Sequence, residues 1–294
     1  MIEKIINKIK YWIDTIKSKK FYEKFKNNNL HFISDEEVVN KIIDGFSLSR
    51  FGDGEFKWIL GVKQNNFQKQ DDKLQERLKQ VLTEENSKLI IGITKSFIDM
   101  SEYNKSAKRY WKLFYYRYGE KLLPMLKKKE YANASITRFY MDYINKEKAV
   151  DRLKNIKRIW NEKDIIIVEG EKTLMGVNND LFENAKSIQR IIVPSVNAFD
   201  KYDEILRTVM RQKKNYLYLL AIGPTATILA SDLSKKGFHA VDIGHLDIEY
   251  EWALAGSKRK EKIEGKYVNE AGGIKGKQLT LPESYKKSII DKIN

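Results

Sequence analysis

Short runs of apolar residues recur along the chain from about residue 44 onward, and most of them are followed by a stretch with helical spacing. Repeated strand-then-helix units predict a largely parallel sheet with helices on its faces. The predicted strands are Leu89–Ile93, Ile165–Val168, Ile191–Val193, Tyr216–Ile222 and Ala240–Ile243. We therefore expect an α/β fold that binds its ligands at the carboxyl ends of these strands.

The first residues of the chain follow a different pattern, which predicts a basic amphipathic helix over residues 2–26. The isoleucines and the tryptophan recur every three or four residues, while most lysines fall elsewhere, and the apolar set is Ile2, Ile5, Ile6, Ile9, Trp12, Ile13 and Ile16. These residues never form the continuous stretch of an export signal. We expect the helix to dock on an anionic membrane surface or on a partner chain, with packing on its own domain as the alternative.

Composition limits the classes of function. The net charge of +15 invites a nucleic-acid partner, but only 11 of the 55 basic residues are arginine and no recognition module is visible, so we expect no specific nucleic acid. Cysteine is absent, which excludes disulfides and thiolate metal sites. No apolar run approaches the length of about 18 residues that a membrane span needs. We expect a cytoplasmic protein, with peripheral attachment at the inner face of the membrane as an option.

A short acidic stretch, Ser49 to Glu55, stands near the start of the strand-and-helix region. Asp53 and Glu55 are separated by one glycine and preceded by Gly52, so the backbone can come close to a ligand. Mg²⁺ and Mn²⁺ commonly take about one or two protein carboxylates and complete their shell with water and phosphate oxygens. The pair is therefore a candidate cation site, and Arg50 a candidate phosphate ligand. An ordinary polar turn with Arg50 paired to Asp53 is the alternative.

Glycine-rich or polar segments also follow three of the predicted strands, namely Glu169-Gly170 with Gly176 to Asp180, Pro194 to Asn197, and Gly223 to Thr227. The last has the order of a strand, a tight turn and a helix whose first N–H groups can receive a phosphate. It lacks the lysine of a P-loop and the third glycine of a dinucleotide fingerprint. A simple capped turn, with Thr225 as the cap, is the alternative.

A cluster of titratable residues follows the last predicted strand. One imidazole, His245, and three carboxylates, Asp247, Glu249 and Glu251, fall within a short span that can supply a general base. If the span is helical, Asp247 and Glu251 share a face and Glu249 points away. Structural roles at a helix start are the alternative. Farther upstream, Arg138 is a second candidate ligand for a phosphate or an acceptor anion.

Taken together in their order, these motifs make the chain resemble the bacterial GT-D-type glycosyltransferases from about residue 44 to about residue 270. The motifs are Ser49-Arg50-Phe51-Gly52-Asp53-Gly54-Glu55, Thr137-Arg138-Phe139-Tyr140, Ile167-Val168-Glu169-Gly170, Asn179-Asp180-Leu181-Phe182, Pro194-Ser195-Val196-Asn197-Ala198-Phe199, Gly223-Pro224-Thr225-Ala226 and Asp242-Ile243-Gly244-His245-Leu246-Asp247-Ile248-Glu249-Tyr250. Several motifs in a fixed order are more specific than any single one.

The resemblance implies a Rossmann-like fold in which an Asp-x-Glu pair binds a divalent metal, Mn²⁺ or Mg²⁺, and the diphosphate of a sugar nucleotide, typically a UDP-sugar such as UDP-glucose. Asp53 and Glu55 would be the metal pair. The other donor-site candidates are Arg50, Phe51, Gly52, Arg138, Glu169, Gly170, Asn179, Asp180, Asn197, Gly223, Pro224 and Thr225, and the catalytic candidates are His245, Asp247 and Glu249. The acceptor would be a glycan or glycoconjugate.

We expect three parts: an N-terminal helix over residues 1–30, a GT-D-like domain over residues 31–256, and a basic C-terminal appendage over residues 257–294 that ends in a helical stretch from Pro282 to Ile290. Two other functions stay open. One is a metal-dependent nucleotide-sugar or phosphoester hydrolase that uses water as acceptor. The other is a noncatalytic basic protein that binds a membrane or a polyanion.

Overall fold

One sheet of eight parallel strands forms the centre of the computed structural model, which describes residues 2–64, 68–276 and 280–294, without the side chains of residues 2–9 and 269. The strands are β1 (Ser47–Phe51), β2 (Leu89–Ile93), β3 (Ala132–Asn133), β4 (Asp164–Gly170), β5 (Ser187–Val193), β6 (Leu217–Ala221), β7 (His239–Asp242) and β8 (Ile289–Lys292). Their order across the sheet is β3-β2-β1-β7-β6-β4-β5-β8. The expectation of a mainly parallel α/β sheet is confirmed.

Helices cover both faces of this sheet. The α-helices of the described residues are α1 (Ile2–Phe25), α2 (Asp35–Ile43), α3 (Asp53–Ile59), α4 (Asp72–Thr83), α5 (Lys105–Leu122), α6 (Lys148–Lys157), α7 (Tyr202–Met210), α8 (Pro224–Lys235), α9 (Leu246–Leu254) and α10 (Glu283–Ser288). On β4, Ile165 and Ile167 join one buried cluster with α2 and α9, while Ile166 and Val168 join another with α7 and α8. A strand buried on both faces reads as a continuous apolar run, which explains why β4 was visible in the sequence.

The five strands predicted from apolar runs are all present, β2 with its predicted bounds and the other four with shifted ends, whereas three other strands carried no such signal. In β1, Ser49 and Arg50 interrupt the apolar pattern, although Ser49 is fully buried and its hydroxyl donates to the carbonyl of Thr227 (2.7 Å). The helix predicted from Pro282 to Ile290 ends at Ser288, and the next four residues pair with β5 instead. Tertiary pairing therefore overrode the local helical pattern there.

The centre of the sheet contains a seam between β1 and β7. Five residues of β1 pair in register with β2, but toward β7 only Leu48 pairs, with Val241. Side chains supply the missing connections, because the hydroxyl of Thr227 on α8 donates to the carbonyl of Arg50 (2.9 Å). Arg50 itself reaches across to β7, as described below. The chain leaves β1 toward β2 on one side of the seam and leaves β7 toward β8 at the opposite edge, and ligands of open α/β sheets bind at such switch points.

The segment after residue 256, which we predicted to be an appendage, contacts the rest of the protein at several points. Its last strand, β8, extends the edge of the sheet beside β5. Lys266, with its side chain almost fully buried, forms ion pairs with Asp247 and Glu251, and Val268 packs into the main core. A polar segment of low apolar content can still be integral to a domain when its few buried groups find specific partners.

Helix α1 is present as expected, and its final turns pack on the rest of the protein. Ser18, Tyr22 and Phe25 are buried, and the Tyr22 hydroxyl donates to the carbonyl of Ser96 (2.8 Å). The Phe25 ring stacks on Tyr115 of α5 with 4.9 Å between ring centroids. Packing on its own domain therefore accounts for this end of the helix.

Ile2, Ile5, Ile6 and Ile9 belong to the predicted apolar stripe, but their side chains lie outside the described part of the chain. No helix within the described residues is both long and apolar enough to cross a bilayer.

We predict that Gly119→Ala destabilises the protein, although this change normally stabilises a helix interior by about 1 kcal/mol. A Cβ at Gly119 of α5 would lie 2.6 Å from the Phe25 ring, so α1 would have to shift. Overpacking of this kind costs about 1–3 kcal/mol, so we expect a small net loss in the free energy of unfolding, measured by urea denaturation.

Phe25→Ala provides the control, because removing the ring should turn the same glycine substitution into a stabilising one. A double-mutant cycle measures this coupling between the two positions. If Gly119→Ala stabilised the protein equally with and without Phe25, the close packing of α1 on α5 would be contradicted.

Candidate active site

A cavity of about 690 Å³ opens at the carboxyl edge of the sheet. Asp53, Gly170, Gly223 and His245 all line it. Gly170 ends β4, and the other three follow β1, β6 and β7, so the carboxyl ends of four strands bring these residues together. The cavity lies over the seam between β1 and β7, and its volume falls in the range of about 300–1,000 Å³ that is usual for small-molecule sites.

Asp53 and Glu55 lie in the first turn of α3, not in an open polar turn. Gly52 is the residue before the helix, and its N–H donates to Glu55 Oε2 (2.9 Å), which is the half of a capping box that a glycine can form. Lys57, one turn later, donates to Asp53 Oδ2 (2.6 Å), and the hydroxyl of Tyr110 from α5 donates to the same oxygen. Both carboxylates are thereby oriented before any ligand arrives.

The electrostatics of the two carboxylates differ. Burial raises the pKa of Glu55 to about 7, and the nearby charges of Asp242 and Asp53 add to this effect. Burial also acts to raise the pKa of Asp53, but Lys57 and Tyr110 outweigh it and hold that pKa below its ordinary value. Three carboxylates thus face one another around the floor of the cavity, and Glu55 has no cationic partner among the described ion pairs.

The donor set of this floor suits a hard divalent cation. The described hydrogen bonds use one oxygen of Asp53 and one of Glu55, which leaves the second oxygen of each for a ligand. Within the described residues no three histidine, cysteine or acidic side chains form a complete metal cluster. Two carboxylates fit a Mg²⁺ or Mn²⁺ ion whose other positions come from water and phosphate.

Arg50 lines the cavity, but its guanidinium is engaged within the protein. It donates to the Asp242 carbonyl (2.7 Å) and carboxylate (2.9 Å), and to the Ala134 carbonyl (2.9 Å) and Thr137 hydroxyl (2.6 Å). It does not pair with Asp53. Gly244 has a φ of +48°, and a Cβ there would lie 1.9 Å from Arg50, so this arginine needs a glycine beside it. Arg50 is therefore an organising residue of the cavity wall.

Arg138 carries the second guanidinium of the cavity, and it faces an internal carboxylate. One of its nitrogens donates to Glu270 (2.7 Å) and lies 3.4 Å from His245 Nδ1, while another lies 3.9 Å from Glu249. Burial lowers the pKa of His245 to about 4, and the positive charge of Arg138 acts in the same direction. The imidazole is therefore neutral at pH 7 and can accept a proton or a hydrogen bond.

The two faces of α9 have different roles. Asp247 and Glu251 share one face, as the helical spacing indicated, and Lys266 bridges them at 2.8 Å and 2.7 Å. Asp247 lines the cavity, but all its contacts are internal: its other oxygen accepts from Gly176 N–H and Asn179. This carboxylate therefore has little capacity left to act as a base.

Glu249, the third catalytic candidate, points away from the cavity. It is fully buried, and one of its oxygens accepts the N–H groups of Tyr140 (3.0 Å) and Met141 (2.8 Å). Burial raises the pKa of Glu249 to about 7, opposed by Arg138. Because it is not part of the cavity lining, the geometry suits a role in holding the segment that carries Arg138.

Several of the donor-site candidates lie behind the cavity wall and do not line it: Phe51, Glu169, Asn179, Asp180, Asn197, Pro224 and Thr225. Phe51 is a core residue, and Glu169 is buried against Arg190, the N–H of Met175 and the hydroxyl of Tyr285. Asp180 accepts the Tyr250 hydroxyl. These residues shape the loops, while the lining itself includes Arg50, Gly52, Asp53, Glu55, Arg138, Gly170, Gly223, His245 and Asp247.

The remaining loop candidates also make internal contacts. Asn197 has a φ of +54°, and its side chain accepts the N–H of Lys69 (2.8 Å). Thr225 does not cap α8, because Gly223 occupies the capping position with Pro224 as the first helical residue. The Thr225 hydroxyl is buried without a hydrogen-bond partner among the described residues. The strand-turn-helix arrangement predicted at Gly223 is present, but the cap is a different residue.

The lining also contains residues that were not named as site candidates from the sequence, among them Tyr110, Asp242, Lys260 and Glu270. Tyr110 lies on α5 outside the buried face that carries Trp111 and Tyr115. The sequence could have indicated it as a site residue only by placing an aromatic side chain on the polar face of the helix. Lys260 and Glu270 come from a polar segment without periodicity. Only the folded chain brings them to the cavity.

The family model described as "Glycosyltransferase GT-D fold" matches residues 48–271. This chain belongs to the GT-D glycosyltransferase family. Among solved structures, it is similar to one entitled "The highly conserved domain of unknown function 1792 has a distinct glycosyltransferase fold", at 34% identity and a TM-score of 0.87, over 94% of this chain and 100% of that one. A second, "A New Glycosyltransferase (DUF1792) from Streptococcus sanguinis", has 32% identity and a TM-score of 0.85, over 90% of this chain and 100% of that one.

Two curated GT-D relatives are longer than this chain. It is 37% identical to "Probable glycosyl transferase Gly" of Streptococcus gordonii over 257 residues, which is 87% of this chain and 38% of that protein. It is 31% identical to "Glycosyltransferase GlyD" of Streptococcus pneumoniae serotype 4 over 260 residues, 88% of this chain and 32% of that protein. The chain thus spans about a third of the length of these relatives.

We predict that His245 contributes to the loss of folding stability at acid pH. Its pKa of about 4 lies below the ordinary value of 6.5, so the unfolded chain takes up a proton before the folded chain does. Stability should therefore fall as the pH drops from about 6.5 toward 4. The groups that face this imidazole are Arg138, Glu270, Arg50 and Lys260.

His245→Gln removes the group that takes up this proton. The melting temperature of the variant should therefore fall less than that of the wild type as the pH drops from about 6.5 toward 4. His239→Gln is the matched control at a half-buried histidine outside the cavity, whose pKa is also about 4, and it should show a similar shift. A difference curve for His245→Gln that stays flat between pH 7 and pH 4 would contradict the neutral state of His245.

Proposed function

We propose that this GT-D protein is a metal-dependent glycosyltransferase that moves a sugar from a nucleotide diphosphate donor, a UDP-sugar, to a hydroxyl group of a glycan or glycoconjugate acceptor. The observation that carries the proposal is the pair Asp53 and Glu55, pre-oriented on the cavity floor, each with one oxygen left for a ligand. Family membership supports the transfer of a sugar, and the donor set supports the cation.

The proposal assigns a role to the main charged groups of the cavity. Asp53 and Glu55 would hold a Mn²⁺ or Mg²⁺ ion, which when bound stabilises the negative charge of the departing diphosphate. Lys57 and Tyr110 keep Asp53 in place by occupying its Oδ2. Arg138 would bind an anionic oxygen of the donor or acceptor in place of Glu270.

His245, which precedes α9, is the catalytic candidate best placed to receive the proton of the acceptor hydroxyl, because both oxygens of Asp247 are engaged. Its Nδ1 faces Arg138, a group that can only donate, so the neutral ring carries its proton on Nε2. Once Arg138 binds an anionic oxygen of a ligand, Nδ1 is free to accept the hydroxyl proton as the acceptor oxygen attacks the sugar carbon. Asp247 then acts by positioning the loop at Gly176 and the segment that carries Lys266.

We predict that Asp53→Asn and Glu55→Gln each lower metal-dependent UDP release by on the order of 100- to 1,000-fold, the usual effect of losing one electrostatic stabiliser. Glutamine preserves the capping box, so Glu55→Gln should melt at or above the wild-type temperature, whereas Glu55→Ala should lose about 1 kcal/mol. The assay follows UDP and product formation against Mn²⁺ concentration.

Asp203→Asn is the matched control, an acid in the first turn of α7 that does not line the cavity. It should leave the rate unchanged. Running each enzyme with and without acceptor separates transfer from hydrolysis, and equal UDP release without any acceptor product would favour a hydrolase. Wild-type rates in Asp53→Asn and Glu55→Gln would contradict the metal role.

We expect substitutions of Arg138 and of Glu270 to change the affinity for the donor in opposite directions. Arg138→Gln removes a ligand for an anion and should raise the donor KM or the UDP Kd about tenfold, the effect of one charge-assisted hydrogen bond. Glu270→Gln removes the internal competitor and should lower the same constant severalfold. Isothermal titration with UDP in Mn²⁺ measures both, and a weaker affinity in Glu270→Gln would show that Glu270 supports binding and does not compete with it.

A further inference from the structure

Helix α1 carries two different faces, and the packing of the protein uses only one of them. Ser18, Tyr22 and Phe25 are buried against the rest of the protein. Trp12, at 65% exposure, and Ile16, at 48%, remain in contact with solvent. Exposed large apolar residues are common singly, but here they lie close together on one helix.

The geometry of the helix places these two groups on opposite sides. An α-helix turns about 100° per residue, so the direction of Trp12, Ile13 and Ile16 differs by about 160° from that of the three buried residues. Ile13 is also exposed. The outer stripe, defined as Trp12, Ile13 and Ile16, is therefore not explained by packing on the domain, and the docking of Phe25 and Tyr22 turns it outward.

Lysines surround this outer stripe. At about 100° of rotation per residue, Lys17 and Lys19 lie on either side of the stripe, and Lys20 lies in line with it. None of the three forms an ion pair with a described residue, whereas Asp14 pairs with Arg117 (3.5 Å) and Glu23 with Lys26 (2.5 Å). The surface around the stripe is consequently positive.

We propose that the outer stripe of α1 inserts into the headgroup region of an anionic lipid bilayer and attaches the protein peripherally. Apolar residues flanked by lysines suit this environment, because the ring and the isoleucines enter the interface while the ammonium groups stay at the phosphates. A second copy of the chain would bring the same unpaired lysines face to face, which disfavours self-association through this surface. No residue of α1 lines the catalytic cavity within the described chain, so attachment leaves the cavity accessible.

The test measures flotation of the full chain with vesicles of neutral phosphatidylcholine, or of the same lipid with about one third phosphatidylglycerol, in the absence of any sugar nucleotide. We expect binding to the anionic vesicles only, weakened by salt. Trp12→Ser with Ile16→Ser should reduce binding at least tenfold, as should Lys17→Glu with Lys20→Glu, since each lysine near a charged bilayer contributes about fivefold.

Val150→Ser is the matched control, because Val150 is a similarly exposed apolar residue, at 57%, on α6. It should bind like the wild type, and all variants should melt like the wild type because none of these side chains is buried. Absence of wild-type binding, or full binding by the Trp12 and Ile16 variant, would overturn the proposal. So would loss of an oligomer in that variant without any vesicle binding, which would assign the stripe to a protein contact.

Discussion

The ion pair between Arg50 and Asp242 is the interaction on which the site depends. It joins β1 to β7 across the seam where backbone pairing is reduced to one residue pair. The same guanidinium reaches Ala134 and Thr137, next to the segment that carries Arg138. Both side chains are largely buried, and a buried pair of this kind holds only when its remaining donors are satisfied, as they are here.

This crosslink has a structural consequence for the cavity. Asp53 and Glu55 follow β1, and His245 and Asp247 follow β7, so the two groups approach each other only if the seam is held at a fixed spacing. Burial raises the pKa of Asp242, and Arg50 opposes this rise. Asp242 is thus paired with Arg50 and Asp53 with Lys57, which leaves Glu55 as the carboxylate of the cavity floor without a cationic partner among the described ion pairs.

The C-terminal segment completes the site from the other side. Lys266 is anchored by Asp247 and Glu251, and this anchor positions Glu270 against Arg138 a short distance along the chain. The family match ends at residue 271, just after this segment. This segment also contributes Lys260, Tyr267 and Glu270 to the lining of the cavity.

Local sequence patterns determined the fold class and much of the ordered scaffold of this protein. The apolar runs identified β2, β4, β5, β6 and β7, because strands buried on both faces must be apolar throughout. The glycine-flanked carboxylates at Asp53 and Glu55 were also visible, since close backbone approach and hard oxygen ligands require those residue types.

Only the tertiary structure decided which of the polar residues face the cavity. Glu169 and Glu249 were candidates from the sequence, but neither lines the cavity: Glu169 pairs with Arg190, and Glu249 accepts the N–H groups of Tyr140 and Met141. Lys260 and Glu270 show the reverse, since they line the cavity although the polar segment that carries them has no periodic signal. A short-range pattern records burial and backbone conformation, whereas the partner of a charged side chain is set by contacts between residues far apart in the chain.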